Sequence, residues 1–158
     1  MSARVLSINI TSVVHQGEWT GSEGRTGIDK RSVTGAIEFK NNGIRTSVFV
    51  DTDLKLIEGA KTTGADRIEL YTEHFASEFE KGNKNAVKPY TAAAILAYQL
   101  GLGINAGHDL SLQNIQFFKE NIPNLAEVSI GHALITESLY LGLENVVNMY
   151  LNKLQYLF

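Results

Sequence analysis

The chain has 158 residues, which fits one domain with room for a substantial core. Its net charge of -3 gives no electrostatic basis for binding nucleic acid or an acidic membrane surface, and no apolar run approaches the roughly 18 residues that span a bilayer. The sequence contains no cysteine, which excludes disulfides, thiolate metal sites and a cysteine nucleophile.

The same composition bears on location and on metals. The start, MSARVLSINI, has one arginine and a short apolar run without a cleavage-like site, so we predict no signal peptide. Together with the lack of cysteine, this favours a cytoplasmic protein. The histidines, His15, His74, His108 and His132, have neither HxH nor HExxH spacing, so we predict no metal site.

Residues 1–43 form the first of two parts that differ in pattern. VLSINITSVV and SVTGAIEF are typical of strands. The segment between them, HQGEWTGSEGRTGIDKR, is rich in glycine and charge and resembles a long loop rather than a crossover helix. The sequence therefore predicts a short β-hairpin-like N-terminal segment.

Residues 44–158 show a repeating strand–helix pattern. Apolar, β-rich runs occur at IRTSVFV (44–50), RIELYT (67–72), GINAG (103–107) and EVSIG (127–131), and a helix-compatible segment follows each run. Strands that alternate with helices predict an α/β fold with a parallel sheet and right-handed crossovers. The four βα units correspond to about half of a roughly 250-residue (β/α)8 TIM barrel.

Local signals predict where the helices begin and end. After the first strand, DTDLKLIEGAKTTGA offers Asp51 or Thr52 as the N-cap. The segment NAVKPYTAAAILAYQLG is predicted to end at Gly101. SLQNIQFFKENIP offers Ser111 as the N-cap and has Pro123 just past its end.

The last segment, ITESLYLGLENVVNMYLNKLQYLF, has the pattern of an amphipathic helix. Its apolar stripe consists of Leu139, Leu143, Val146, Tyr150 and Leu154. We predict that this stripe belongs to the core or to an interface.

Polar residues of interest lie at the carboxyl ends of the predicted strands, where parallel α/β folds gather their chemistry. Glu69 lies inside its strand, where a carboxylate is costly unless it faces a polar cavity. His108 follows one strand, and Gly131 and His132 follow the next. The helix after His132 offers N-terminal amides for a phosphate, and a histidine beside that phosphate is suited to proton transfer.

Each of these residues also has a structural interpretation. A histidine at a strand end is often only a hydrogen-bonded structural residue. An ion pair with Arg67 or with a neighbouring lysine explains Glu69 equally well, and Asp109 fits the cap of the helix that follows it. The residues alone leave these alternatives open.

Residues 44–158 resemble the C-terminal half of the pyridoxine 5′-phosphate synthase family. The stretches GIRTSVFVDTD, GADRIELYTEHFA, LGLGINAGHDLSLQN and EVSIGHALITESLYLGLENVVNMYL follow that family in order and spacing. NAGHDL and IGHALI are the most specific of these motifs.

The resemblance implies a (β/α)8 barrel that condenses 1-deoxy-D-xylulose 5-phosphate with 3-amino-2-oxopropyl phosphate, without metal or other cofactor, and releases phosphate and water. By position, Glu69 matches a catalytic carboxylate and His108 matches the proton donor of this family. Asp109 falls at a substrate-contact position that is glycine in some relatives. Gly131 and His132 match the substrate phosphate site.

The chain departs from this family in its first part. The first half of the barrel, with its basic residues, its other catalytic histidine and a further glutamate, is not found in residues 1–43. RVLSINI and GRTGIDKRSVTGAI instead resemble the start of MOSC domains of the YiiM-like branch, over residues 1–40. The characteristic cysteine of that family is absent, so the resemblance implies no molybdenum chemistry.

We therefore expect a hybrid chain, with a MOSC-like segment at residues 1–43 and a half barrel at residues 44–158. Half a barrel leaves open sheet edges and an interior, expected to be apolar, that faces water, so we predict a homo-oligomer in which paired chains complete the barrel. The predicted function is pyridoxine phosphate synthase-like, with weak or no activity in the isolated chain. The alternative is a non-catalytic module that binds small phosphorylated ligands or serves as a scaffold.

Overall fold

The computed structural model describes residues 38–155. Four strands form one parallel sheet in the order β1 (Ser47–Val50), β2 (Arg67–Tyr71), β3 (Gly103–Gly107) and β4 (Leu125–Ser129). Each strand pairs with the next one along the chain, and helices connect them. This confirms the predicted α/β fold with four βα units, consistent with half of a (β/α)8 barrel.

The helices that follow the strands are α1 (Leu54–Thr62), α2 (Glu73–Glu80), α3 (Lys88–Gln99), α4 (Ile115–Asn121), α5 (His132–Leu141) and α6 (Leu143–Gln155). A 3-10 turn at Lys84–Val87 precedes α3, in which Pro89 occupies a first-turn position where its missing N–H costs nothing. The sequence analysis did not predict α2 as a separate helix.

Two helix boundaries differ from those predicted. The N-cap of α1 is Asp53, not Asp51 or Thr52, because the Asp53 carboxylate accepts a hydrogen bond from the Lys55 amide at 2.9 Å. The cap position of α4 is Asn114 rather than Ser111, because a turn over residues 112–114 precedes the helix. Gly101 lies just beyond α3 with a φ of 72°, as its predicted role as a C-cap glycine requires.

The predicted single C-terminal helix is two helices. Gly142, with φ 81° and ψ 139°, separates α5 from α6, and this backbone conformation is accessible almost only to glycine. Only part of the predicted apolar stripe is buried: Val146 and Tyr150 of α6 are buried, whereas Leu139 of α5 and Leu143, the first residue of α6, are exposed. The buried part of the stripe therefore lies within α6, beyond its first residue.

The core lies between the sheet and the helices α1 to α4. Side chains alternate along a strand, and Val48, Ile68, Leu70, Ile104 and Ala106 all belong to the buried cluster. An aromatic group extends this core between α2, α3 and α4. It consists of Phe75, Phe79, Tyr90, Phe117 and Phe118.

The other residues of each strand form the opposite surface of the sheet, which we call the inner face. Its members are Ser47, Phe49, Arg67, Glu69, Tyr71, Gly103, Asn105, Gly107, Glu127 and Ser129. The expectation of an apolar barrel interior was wrong, because this face carries an arginine, two glutamates and an asparagine. Alternation along RIELY directs its polar residues to one face and Ile68 and Leu70 to the other.

The N-terminal segment falls mostly outside the described residues. The predicted strand VLSINITSVV and most of SVTGAIEF lie there. The last two residues of SVTGAIEF, Glu38 and Phe39, are helical, as are residues 40 and 41, and do not belong to a strand. The Phe39 carbonyl accepts hydrogen bonds from the amides of Asn42 and Ile44.

Candidate active site

A polar network occupies the middle of the inner face. The Arg67 guanidinium group lies 3.2 Å from the Glu127 carboxylate and donates a 2.9 Å hydrogen bond to the side-chain oxygen of Asn105. The Asn105 amide donates to Glu127 in turn, and Arg45 forms a second ion pair with Glu127 at 3.0 Å. Arg67 is therefore paired with Glu127, not with Glu69, and the ion-pair interpretation of Glu69 with Arg67 was wrong.

Glu69 lies beside this network, nearer to the carboxyl ends of the strands. The residue is only 4% exposed, and its Oε2 atom has no hydrogen-bond partner. Burial raises the pKa of the Glu69 carboxyl group, a hydrogen bond from the Ser129 side chain opposes this rise, and the negative charge of Glu127 adds to it. A carboxyl group of this kind can carry or accept a proton at a higher pH than an exposed glutamate.

His108 follows the last residue of β3 and is exposed. Its ring makes an edge-to-face contact with the Tyr71 ring, with a centroid distance of 4.6 Å. Thr72, fully buried just after β2, holds the backbone at the end of β3. Its hydroxyl oxygen lies 2.8 Å from the Gly107 carbonyl oxygen and close to that of His108, so the one hydroxyl proton is shared between them, and the Thr72 amide also donates to the Gly107 carbonyl oxygen. The backbone of His108 is therefore held by hydrogen bonds, while its ring is exposed to solvent.

Asp109 lies next to His108 and shares its unusual backbone. His108 has a φ of 84° and Asp109 a φ of 60°, both in the left-handed region that side chains other than glycine rarely adopt. The His108 Nδ1 atom lies 2.9 Å from the Asp109 carboxylate. Asp109 does not cap the next helix, because the cap position of α4 is Asn114, so that structural interpretation was wrong.

Gly131 and His132 lie where β4 leads into α5. His132 is the first residue of this helix and Gly131 precedes it, and both are exposed. A Cβ atom placed on Gly131 would meet nothing within 4 Å, so a ligand has room at this point. The first turn of a helix leaves amide groups without intrahelical partners, which suits an anion.

Two surface clefts lie on the described part of the chain, and one of them includes a residue of this site. This cleft, of about 300 Å³, is lined by Glu73, Glu80, Asp109, Ser111 and Ala133, among others. Its three carboxylates disfavour the binding of a phosphate within it. The other, of about 520 Å³, lies on the outer helices beside Lys84, Lys88 and Phe117 and contains none of the predicted site residues.

The structure gathers the predicted residues at one end of the sheet. Glu69, His108, Asp109, Gly131 and His132 all lie at or near the carboxyl ends of β2, β3 and β4. Direct contact joins His108 to Asp109. Within residues 38–155, no group of three or more histidine, cysteine, aspartate or glutamate side chains is arranged to hold a metal ion.

The partners of Glu69 were not predicted from the sequence. Gly107 and Ser129 face its carboxyl group, and Glu127 acts on its pKa from the neighbouring position of β4. The alternation of polar and apolar residues in RIELY and EVS was the available signal. This alternation identifies the partners of Glu69 only when the strand register is known. The register pairs Glu69 with Asn105 and Asn105 with Glu127.

The fold and site together define an α/β protein of half-barrel type, with its polar residues at the carboxyl ends of parallel strands. The chain belongs to the family described as "Pyridoxal phosphate biosynthesis protein PdxJ", whose profile matches residues 15–156. The family resemblance of the second part of the chain is thereby confirmed. The comparisons give no support to the MOSC-like interpretation of residues 1–40, and the family match already begins inside that segment.

Several curated relatives are similar over one half of their length. The pyridoxine 5′-phosphate synthase of Flavobacterium johnsoniae is 73% identical over 118 residues, which cover 75% of this chain and 50% of the relative. That of Christiangramia forsetii is 70% identical over the same extent. That of Cytophaga hutchinsonii is 56% identical over 117 residues, 74% of this chain and 49% of the relative. The chain thus spans about half the length of the curated relatives it matches.

Proposed function

We propose that this chain carries the part of a pyridoxine 5′-phosphate synthase site that belongs to the C-terminal half of that enzyme. It would act in the condensation of 1-deoxy-D-xylulose 5-phosphate with 3-amino-2-oxopropyl phosphate. The observation that carries the proposal is the buried carboxyl group of Glu69, with its raised pKa, on the same sheet end as His108. A condensation that loses water and phosphate needs groups that deliver and remove protons at one place.

The roles follow from the surroundings of each residue. Glu69 is the catalytic carboxyl group, because burial favours its protonated form and leaves Oε2 without a partner. His108 is the proton donor, because its ring is exposed and oriented by Tyr71 and Asp109. Asp109 contacts substrate beside His108, and Gly131 and His132 bind a substrate phosphate at the start of α5.

The proposed partners of the chain are small phosphorylated substrates and a second copy of itself in the cytoplasm. Among the described residues, β1 and β4 each pair with only one strand. The helix α5 has no buried residue although it is rich in apolar side chains, including Ile135 and Leu139. Pairing of two chains would cover such surfaces. Light scattering at micromolar concentration tests this pairing, and a monomeric mass contradicts it.

Within residues 38–155, no helix has both the length and the apolar character that spanning a bilayer requires.

A turnover assay with both substrates tests the activity. We predict a low rate that the substitutions Glu69→Gln and His108→Gln reduce by about 100-fold or to background. Glu58→Gln, the same chemical change on the exposed surface of α1, serves as a control that keeps the wild-type rate. A rate in the wild-type chain that survives Glu69→Gln contradicts the proposed role of this site.

A second candidate function is the binding of a phosphorylated ligand without turnover. The open space beside Gly131 at the start of α5 favours it, and the half-length of the chain relative to its matches is compatible with it. Saturable binding of 3-amino-2-oxopropyl phosphate, together with no product from the two substrates, would favour this candidate.

The division of the chain into two parts near residue 43 remains a prediction.

A further inference from the structure

The Glu69 carboxyl group extends from β2 over the neighbouring strand β3. A Cβ atom built on Gly107 of β3 would lie 2.7 Å from the Glu69 Oε1 atom. Real Cβ atoms essentially never approach another atom so closely, so any side chain at position 107 would displace the carboxyl group. The space that the carboxyl group occupies exists only because residue 107 is glycine.

The same space opens on the other side to β4. The Cβ atom of Ser129 lies 2.8 Å from the Cβ position built on Gly107, and the register pairs Gly107 with Ser129. The Ser129 side chain hydrogen-bonds to the Glu69 carboxyl group, although these residues belong to strands that are not neighbours in the sheet. The carboxyl group therefore bridges the gap between β2 and β4.

We propose that Gly107 and Ser129 are positioning residues for Glu69: Gly107 leaves the gap over β3 that the carboxyl group occupies, and the Ser129 hydroxyl group fixes it there, with Oε2 buried and without a hydrogen-bond partner. The proposal rests on the proposed function for its catalytic consequence. The geometry itself concerns only residues of this chain.

The charged groups around Glu69 leave Ser129 as its principal anchor. Glu127 on β4 repels the carboxylate, and Arg67 on β2 is engaged by Glu127 and Asn105. On β3, Asn105 likewise donates its amide to Glu127. Among these inner-face neighbours, the Ser129 hydroxyl group is the donor that reaches Glu69, and its hydrogen bond opposes the effect of burial on the carboxyl pKa.

The test follows the side-chain carboxyl carbon of Glu69 in the full chain by NMR with ¹³C-labelled glutamate, assigned with Glu69→Gln. Ser129→Ala should move the titration midpoint of Glu69 to higher pH, because it removes the hydrogen bond that favours the charged form. Ser129→Thr, which keeps the hydroxyl group, should restore the wild-type midpoint. Ser47→Ala is the matched control, because Ser47 lies on the inner face and its hydroxyl group has no partner.

The role of Gly107 is tested by combining substitutions. In a Gly107→Ala background, the further change Ser129→Ala should leave the Glu69 midpoint where it is, because the displaced carboxyl group no longer reaches the hydroxyl group. An equal shift with and without Gly107→Ala would overturn the role of Gly107. A wild-type midpoint in a folded Ser129→Ala variant would overturn the role of Ser129.

The titration separates this proposal from the proposed function. It needs no substrate, so a chain without turnover still reports whether Ser129 holds Glu69. If turnover is present, Ser129→Ala should lower kcat about tenfold with little change in KM, as expected for a positioned reacting group. Turnover without the titration shift overturns only the positioning proposal, and the shift without turnover overturns only the function.

Discussion

The Arg67 guanidinium group on β2 lies 3.2 Å from the Glu127 carboxylate on β4, with strand β3 between them. Asn105 of β3 bridges the pair, since its oxygen accepts from Arg67 and its amide donates to Glu127. Three strands of the inner face are thus joined by side chains as well as by the backbone ladder. Both charged side chains are about one-fifth exposed, so water screens their attraction only in part.

We expect Glu127→Gln to lower the free energy of unfolding by about 1–2 kcal/mol, between the values typical of exposed and of buried ion pairs. The cause is the loss of partners for Arg45 and Arg67. The same substitution should lower the pKa of Glu69, because a nearby negative charge is removed. Urea unfolding and the ¹³C titration measure the two effects, and Glu120→Gln on the exposed surface of α4 is the control. Unchanged values for both quantities would contradict the network.

Glu69 predicts a specific dependence of stability on pH. Its pKa in the folded chain is raised above the ordinary value of 4.5, so the folded state binds the proton more tightly than the unfolded state. The resulting stabilisation is fully present below pH 4.5 and is lost as the pH rises through the folded-state pKa. Urea unfolding from pH 4 to pH 8 should therefore give a smaller fall in stability for Glu69→Gln than for the wild-type chain. Parallel curves for the two proteins would be inconsistent with a raised pKa.

Thr72 should matter more than its single hydroxyl group suggests. Thr72→Val keeps the shape but removes the hydroxyl proton that the carbonyl oxygens of Gly107 and His108 share. The Gly107 carbonyl group keeps the Thr72 amide as a donor, whereas the His108 carbonyl group loses the Thr72 hydroxyl group, so we expect a loss of about 1–3 kcal/mol of stability. Thr72→Ser, which keeps the hydroxyl group, is the control and should lose less. Thermal or urea unfolding decides between them, and equal losses would show that the methyl group matters instead.

Asp109→Gly should stabilise the turn after β3. Asp109 has a φ of 60°, and a glycine adopts this conformation without the strain that a side chain brings. We expect a gain of up to about 1 kcal/mol, reduced by the greater freedom of glycine in the unfolded chain. The His108 ring should lose the orientation that the Asp109 carboxylate provides, which the ring resonances report. A destabilised variant with unchanged His108 resonances would contradict both expectations.

The strands and the half-barrel architecture could be predicted from the sequence because each strand is a short apolar run followed by a helical pattern. The break at Gly142 could not, because the apolar spacing continues across it and only the backbone angle separates α5 from α6. The helix α2 was not predicted because EHFASEFE is short and strongly charged. Its apolar side is nevertheless buried, through Phe75 and Ala76.

The site could be predicted only in part. Glu69, His108 and His132 stand out because charged or ionisable residues are unusual at apolar strand ends. Ser129 and Gly107 give no such signal. Their importance depends on which strands lie side by side in the sheet, and local sequence patterns do not reveal this. The register irregularity between Ile104 and Asn105 also decides which residue of β4 faces Gly107. Contacts of this kind follow from the sheet, not from local spacing.

We propose above all that the carboxyl ends of β2, β3 and β4 form a site for a phosphorylated substrate. The most direct measurement is an NMR titration of the full chain with 3-amino-2-oxopropyl phosphate that follows the His108 and His132 rings, with inorganic phosphate and His132→Gln in parallel. We predict saturable shifts at both rings, with the response of His108 weakened in His132→Gln. Unshifted rings at millimolar substrate would contradict the claim.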